Sequence, residues 1–533
     1  MLSVSILLGS IALFILSYFT YASWIGKKFD IDDGKHTPAK TKYDGVDFVP
    51  THKFVLLGHH FASIAGVGPI IGPILGAQFG YLPVLLWIVV GSIFFGAVQD
   101  FTSLILSVRH HGRTIGGILE SLIGRTGKRV FLVFTWFTLI LVIGVFSIVI
   151  ANTFMSTPQA GTSSVMFIFL AVAFGYLLYV RKLPIIPVTL LFVVLLFLSI
   201  WIGMLFPVAL SYRVWMVLLL VYVAVASVTP IWILLQPRDY LNSFLLYALL
   251  GIGVFGILFY RPGVHLDAFT GIYAPNLGYI FPILFVTVAC GAISGFHSIV
   301  ASGSSSKQIE KESDAQFVGY GGMLIEAVLA IVALTTAFMM MKGEYMALVK
   351  NPAEIFSIGF AGFFVAMGFS AEAGKTFASL AIASFALTTL DTATRLGRYT
   401  MQEFFEGSSK PAAKFLMNRY AATVITVFGA CLFVFNRHGT MSIWPMFGSA
   451  NQMLAALALI AVTIYLAKRS IGNLFVKIPA VFMFFVTATA ITLQMIDSFR
   501  KGNIILSVIA LVLLLTSLYI PFLYVAGHKD AGS

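Results

Sequence analysis

The chain has 533 residues, of which 59% are hydrophobic and 10% charged, with a net charge of +12 and a mean hydropathy of +0.97. Soluble domains carry about 25% charged residues, so this composition excludes an ordinary soluble enzyme and indicates a polytopic membrane protein. The basic residues fall between apolar runs instead of forming one stripe, which makes them topology signals and argues against a nucleic-acid surface.

Runs of bilayer-crossing length occur near 2–21, 54–78, 81–107, 130–154, 165–180, 183–207, 212–236, 241–260, 281–301, 319–341, 375–395, 413–436, 441–467, 474–497 and 503–526. About 15 transmembrane helices are therefore expected, in an all-α fold. The run at 2–21 has no basic segment before it and is followed by Lys27 and Lys28, so it reads as a retained span, not a cleaved signal peptide. Residues 26–53 are polar and read as a cytoplasmic loop. Ile355 to Phe369 is short and follows Asn351-Pro352, and reads as interfacial or re-entrant, within 354–370.

The most informative run contains GHHFASIAGVGPIIGPILGAQFG, Gly58 to Gly80. Proline removes a backbone donor and glycine costs backbone entropy, so a helix is expected to break between Gly66 and Pro73. Broken membrane helices build the solute and ion sites of secondary transporters, because their freed backbone groups need a protein or watery partner. The glycines at 68, 72, 76 and 80 also suit close helix packing, and the two readings are compatible.

Basic residues follow the third, fifth, ninth and eleventh runs, at Arg109 to Arg129, Arg181-Lys182, Lys307 and Lys311, and Arg395 to Lys414. They share one side only if 354–370 does not cross, and the positive-inside rule makes that side cytoplasmic. The N-terminus is then outside and the C-terminus, with Lys529, inside; Arg437-His438 and Arg500-Lys501 fall on the outer side. Counting from the broken run gives a five-plus-five inverted repeat, 54–207 and 212–398, with an extra helix at 1–25 and a four-helix addition at 413–526. Thr229-Pro230 and Gln236-Pro237-Arg238-Asp239 suggest that the second half also begins with a broken helix, at 212–236.

Ionisable residues inside apolar runs are functional candidates, since each costs about 2.5 to 3.5 kcal/mol at a helix centre on insertion scales. Asp100, in GAVQDF beside Gln99, either relays a proton or pairs with an arginine such as Arg109. Ser294, His297, Ser298 and Ser302 recur at helical spacing, and the histidine can change charge near neutral pH. Asp391, Thr394, Arg395 and Arg398 share a face, so Asp391 and Arg395 are placed for an i, i+4 ion pair, with Asp391 a proton carrier or Arg395 a membrane-edge anchor. Glu326 is a further buried acid, and the amides of Asn451 and Gln452 need partners. His59, His60 and His297 could ligate a metal in principle, but no metal-ligand spacing supports it, and no cofactor is expected. Cys290 and Cys431 read as packing residues. There is no phosphate-binding GxxxxGK[ST] motif, which argues against ATP-driven pumping.

The blocks GHHFASIAGVGPIIGPILGAQFGYLP, GAVQDF, PIWILLQPRDYL, CGAISGFHSIVASG, FALTTLDTATRLGRY and IWPMFGSANQMLAA span Gly58 to Ala456 in order. In them the chain resembles the carbon starvation protein A family of bacterial inner-membrane transporters. The resemblance implies uptake of peptides or pyruvate driven by a proton gradient, on a leucine-transporter-like fold. The expected function is a secondary transporter for a small organic solute, with H+ as coupling ion and Na+ as the alternative. Its solute site is expected at His59, His60, Ala65, Gly66, Gly68, Pro69, Gly72, Ser294, His297, Ser298 and Ser302. Asp100, Asp391 and His297 are the expected proton carriers, supported by Gln99, Arg395, Asn451 and Gln452. Its partners are then the solute and membrane lipid. A membrane-embedded metalloenzyme built on the histidines is the competing class.

Overall fold

The computed structural model describes residues 1–45, 47–230, 232–435 and 439–529. Its first helices are α1 (Leu2–Lys28), α2 (Lys53–Ile64), α3 (Gly68–Gly76), α4 (Tyr81–Arg109), α5 (Ile115–Ser156), α6 (Pro158–Val180) and α7 (Ile185–Leu205). After them come α8 (Tyr212–Val228), α9 (Leu235–Tyr260), α10 (Ile280–Val288), α11 (Gly295–Gly303), α12 (Gln316–Phe338) and α13 (Pro352–Ala366). The last are α14 (Ala371–Phe404), α15 (Arg419–Val434), α16 (Gly439–Lys468), α17 (Leu474–Arg500) and α18 (Ile504–Lys529). Among the described residues 12 helices are long and apolar enough to cross a membrane, or up to 14 if each bent pair is one span. The run at 212–236 is interrupted where its prolines indicate: α8 stops at Val228, Thr229 is extended, at ψ 142°, ahead of Pro230, which cannot continue a helix, and α9 begins at Leu235. Arg437 and His438 lie outside the described residues.

α2 and α3 are one span bent by 50°. Ala65 leaves the helical region at ψ 70° and the Gly66 N–H turns back to the Ile64 carbonyl at 2.8 Å. Pro69 then sits in the first turn of α3, where no amide proton is needed. The expected break near Gly66 is therefore present.

At 212–236 the interruption separates two helices, α8 and α9, and the second break inside a single span lies in the ninth run. α10 ends at Val288, a single 3-10 turn spans Ala289–Gly291, and α11 restarts at Gly295. Ala289 has φ +35°, a conformation that side chains avoid, so this turn is held by its surroundings. The two broken helices lie against each other. Gly76 faces Leu284 and Val288, Gly72 faces the Thr287 and Val288 carbonyls, Gly68 faces Cys290, and His60 bonds Ser305. Residue numbers rise along one as they fall along the other, so the pair is antiparallel and the two breaks meet at one depth.

Around this pair, α5 and α14 run antiparallel: Lys128 pairs with Glu403 at 3.1 Å at one end, and the Ser379 hydroxyl donates to Thr157 Oγ1 at 3.0 Å at the other. The 15-residue α13 folds back on the start of α14, with Ser357 and Ser379 hydroxyls 2.9 Å apart. On the face that carries most lysines and arginines, Arg109 forks onto Glu312 at 3.1 and 2.9 Å. The polar segment 26–53 is tied there too, through Thr51 N–H to the Gln308 carbonyl at 3.0 Å and Lys42 to the His111 carbonyl at 3.1 Å.

A methyl group at Gly72 would stand 2.6 Å from the Val288 oxygen and 2.7 Å from that of Thr287. Gly72→Ala is expected to destabilise the purified protein by about 1 to 3 kcal/mol. Gly251→Ala, where nothing lies within 4 Å, is expected to leave the melting temperature unchanged or raised. Thermal unfolding in detergent compares the two.

Candidate functional site

Where the two breaks face each other they enclose a cavity of about 10 Å³, the space of one water. Gly66 and Gly68 line it from the first break, Cys290 and Ser294 from the second, Thr389 from α14 and Asn451 from α16. Phe146 and Phe447 form an aromatic wall, with ring centroids 5.5 Å apart. Gly66 is required here, since a Cβ would stand 2.7 Å from Thr389 Oγ1.

Asn451 organises the second break. Its Oδ1 accepts the Phe296 N–H at 2.9 Å, capping α11, and its Nδ2 donates to Ser294 Oγ at 3.0 Å. Thr389 Oγ1 is buried with no hydrogen-bond partner among the described residues, so the cavity keeps one unspent hydroxyl. The first-turn N–H of Gly68 has no partner within α3 either, and it sits at the positive end of that helix.

One turn into α11 lies a buried ionic triad. His297 Nδ1 is 2.7 Å from Asp100 Oδ2 on α4, and Nε2 is 3.2 Å from Glu326 Oε2 on α12. All three side chains are completely buried. Nδ1 hydrogen-bonds Asp100, whereas Nε2 and both Glu326 carboxylate oxygens have no hydrogen-bond partner among the described residues, so the Glu326 contact is one of ion-pair distance only. Titration of groups this close together belongs to the cluster and not to any one residue. Asp100 pairs with this histidine and not with Arg109, and Gln99 beside it has neither amide atom hydrogen-bonded among the described residues.

The remaining expected site residues are placed differently. His60 and His59 face Ser305 and Ser304, at 2.7 and 3.5 Å. Ser298 and Ser302 donate to the Gly295 and Ser298 carbonyls inside α11, at 2.6 and 2.7 Å. Pro69 and Gly72 pack within α3, Ala65 forms the turn, and Gln452 donates to the Phe285 carbonyl at 2.6 Å. Among the described residues no group of three His, Cys, Asp or Glu is arranged to hold a metal ion. Cys290 lines the cavity in addition to packing.

A second buried charge cluster corrects the expected Asp391–Arg395 pair. Asp391 Oδ2 accepts instead from Arg238 Nη1 on α9 and from the Tyr222 hydroxyl on α8, the latter at 2.9 Å. Arg395 points the other way and donates to the Ala226 and Thr229 carbonyls, at 2.7 and 2.8 Å, closing the C-terminus of α8. Helical spacing cannot find Arg238, which is 153 residues from Asp391; its only signal in the sequence is an arginine within an apolar stretch. Thr389, Phe146 and Phe447 carry no signal beyond polarity or size.

Asp391→Asn removes the carboxylate that Arg238 contacts most closely, leaving Asp239 at 3.5 Å as its remaining counter-charge, and is expected to cost about 1 to 3 kcal/mol, most of it recovered by adding Arg238→Met. Asp391→Asn combined with Arg395→Gln is expected to be additive. Thermal unfolding of both double-mutant cycles reads the coupling.

With this geometry in place, comparison with known proteins identifies the lineage. The model of the family described as carbon starvation protein CstA matches residues 2–354 and 348–490. Over 91% of this chain and 80% of its own length, the peptide transporter CstA of Escherichia coli is 33% identical. The CstA of Helicobacter pylori is 32% identical over 90% and 80%, and the pyruvate/proton symporter BtsT of Escherichia coli 30% over 92% and 82%. In fold the chain is similar to the manganese transporter of Eremococcus coleocola, with a TM-score of 0.51 at 14% identity, covering 91% of this chain and 98% of that one. The fold is thus a leucine-transporter-like, five-plus-five core with extra helices, in a multi-pass membrane protein, and the chain belongs to the carbon starvation protein CstA family.

Proposed function

We propose that this chain is a proton-coupled importer of a small carboxylate, working by alternating access in the bacterial inner membrane. The observation that carries the reading is the meeting of two helix breaks around one cavity, with a buried Asp–His–Glu triad a single helical turn away. Broken half-helices offer backbone donors and dipole ends to a solute without any unpaired backbone in lipid. A carboxylate at the cavity would accept from the Gly68 N–H and the Thr389 hydroxyl at the positive end of α3.

Among the described residues no aspartate or glutamate lines the cavity, and an ammonium group needs an acidic partner when it leaves water. This favours a pyruvate-like acid over a peptide, although relatives are named for each. The clustering of basic residues on the Arg109–Glu312 face supports a cytoplasmic assignment for that face, with the N-terminus outside.

The triad joins α11, which carries the second break, to α4 and α12. Its protonation state therefore sets the charge that holds these helices together, which is the element a proton gradient can bias. The two halves we read as 53–260 and 280–468, each opening on a broken helix, with α6–α7 and α13 as insertions; this replaces the division at 212. The coupling ion is a proton, and no cofactor takes part.

In proteoliposomes, an acid-outside pH gradient is expected to drive accumulation of labelled pyruvate, where a sodium gradient or a labelled dipeptide gives little. His297→Gln is expected to lose gradient-driven accumulation while keeping solute counterflow, since it loses a proton carrier and not the cavity. Undiminished accumulation by that variant removes the triad from coupling, and preferential dipeptide uptake overturns the choice of solute.

A further inference from the structure

Among the described residues Arg238 is the one cation within ion-pair distance of Asp239 and Asp391; Arg395, whose field also reaches Asp391, gives its hydrogen bonds to the Ala226 and Thr229 carbonyls. Asp239, the residue after Arg238 on α9, is 2% exposed. Its Oδ1 lies 3.5 Å from Arg238 Nη2 and has no hydrogen-bond partner among the described residues. The charged groups facing it are Arg238 on its own helix and Asp391 on α14; Tyr222 on α8 and Thr388 on α14 are its polar neighbours, and Arg395 stands one turn beyond Asp391. Arg238 directs its short contact to Asp391, whose Oδ2 also accepts from Tyr222. The single guanidinium charge is thus spent on Asp391. An arginine cannot give up its proton inside a protein, so with one guanidinium touching two buried carboxylates the second, Asp239, is the place where a proton relieves the cluster. An uncompensated carboxylate buried here would cost several kcal/mol.

We propose that Asp239 is a second proton-binding site of the transport cycle, separate from the His297 triad. The inference rests on the proton-coupled reading above and adds a stoichiometry to it: two protons for each monocarboxylate, one on the triad and one on Asp239. The position suits the task. Asp239 lies near the start of α9, the end on the basic face, where Trp232 stacks edge-on against Tyr179 close to Arg181. α9 touches the first half of the broken span and the helix that walls the cavity: Tyr247 meets Gly58 on α2, and Asn242 donates to Thr388 Oγ1 on α14 at 3.1 Å, next to the cavity residue Thr389. When α9 parts from α14 with the moving half-helix, water reaches Asp239. The carboxyl O–H bond then breaks, the proton passes to water at the basic face, and the carboxylate stays as a second counter-ion to Arg238. Reclosing α9 on α14 requires a proton to be taken up again.

One proton per monocarboxylate is electrically silent, whereas two carry a net positive charge inward. The test is uptake of labelled pyruvate into proteoliposomes under an inside-negative potassium–valinomycin potential, with pH equal on both sides. The unmodified protein is expected to accumulate pyruvate under this potential. Asp239→Asn, isosteric with the protonated acid, is expected to lose that response and keep accumulation driven by an acid-outside pH gradient. The inference is overturned if the unmodified protein ignores the potential while responding to the pH gradient, or if Asp239→Asn responds to it as the unmodified protein does. Should Asp239→Asn not fold, the response of the unmodified protein alone decides. No uptake under either gradient would sink the proton-coupled reading itself, which is a different result.

Discussion

Every peptide group inside a bilayer has to find its hydrogen-bond partner within the protein, and a helix that stops halfway leaves several without one. This chain meets that constraint by bringing two interrupted helices together at one depth, so that each break is covered by the other and by α5, α14 and α16. Glycine makes the approach close enough: Gly72 lets the backbone of α3 rest on the last carbonyls of α10. Asn451 completes the arrangement from a third element by capping α11 at the second break. The cavity is what remains between groups that cannot all be satisfied by one another, and the unpartnered Thr389 hydroxyl lies in its wall.

Charge follows the same logic at a higher stake. The membrane interior penalises an isolated ion heavily, so the buried acids occur in company, Asp100 and Glu326 around His297, Asp239 and Asp391 around Arg238. The two groups sit on different pairs of contacts. The triad links α4, α11 and α12, the helices packed on the broken pair, whereas the arginine cluster links α8, α9 and α14. On the proposed reading, a change of protonation in either group alters how one set of helices adheres to the next.

How much of this could be read in the chain depends on whether the cause was local. Gly66 to Pro73 declares its break, because glycine and proline act on the backbone of their own residue. The break at Ala289 to Ser294 has no proline and is imposed by packing, as the positive φ of an alanine shows; the prolines at 230 and 237 mark the interruption between α8 and α9 instead. The triad members stand out individually as ions in apolar surroundings, yet their association across α4, α11 and α12 is a property of the fold. Asp391 is the sharpest case: helical spacing offers Arg395, and tertiary structure supplies Arg238. The cavity walls Phe146, Phe447 and Thr389 resemble many other residues of the chain, and nothing local distinguishes them.

The account stands on the cavity between the two breaks being the place where the solute binds. A cryo-electron microscopy map of the protein with saturating pyruvate tests this most directly. Density for the solute between Gly66, Gly68, Ser294 and Thr389, with its carboxylate toward the start of α3, is the predicted result. A bound solute elsewhere in the molecule, with these residues still closed on one another, would contradict it.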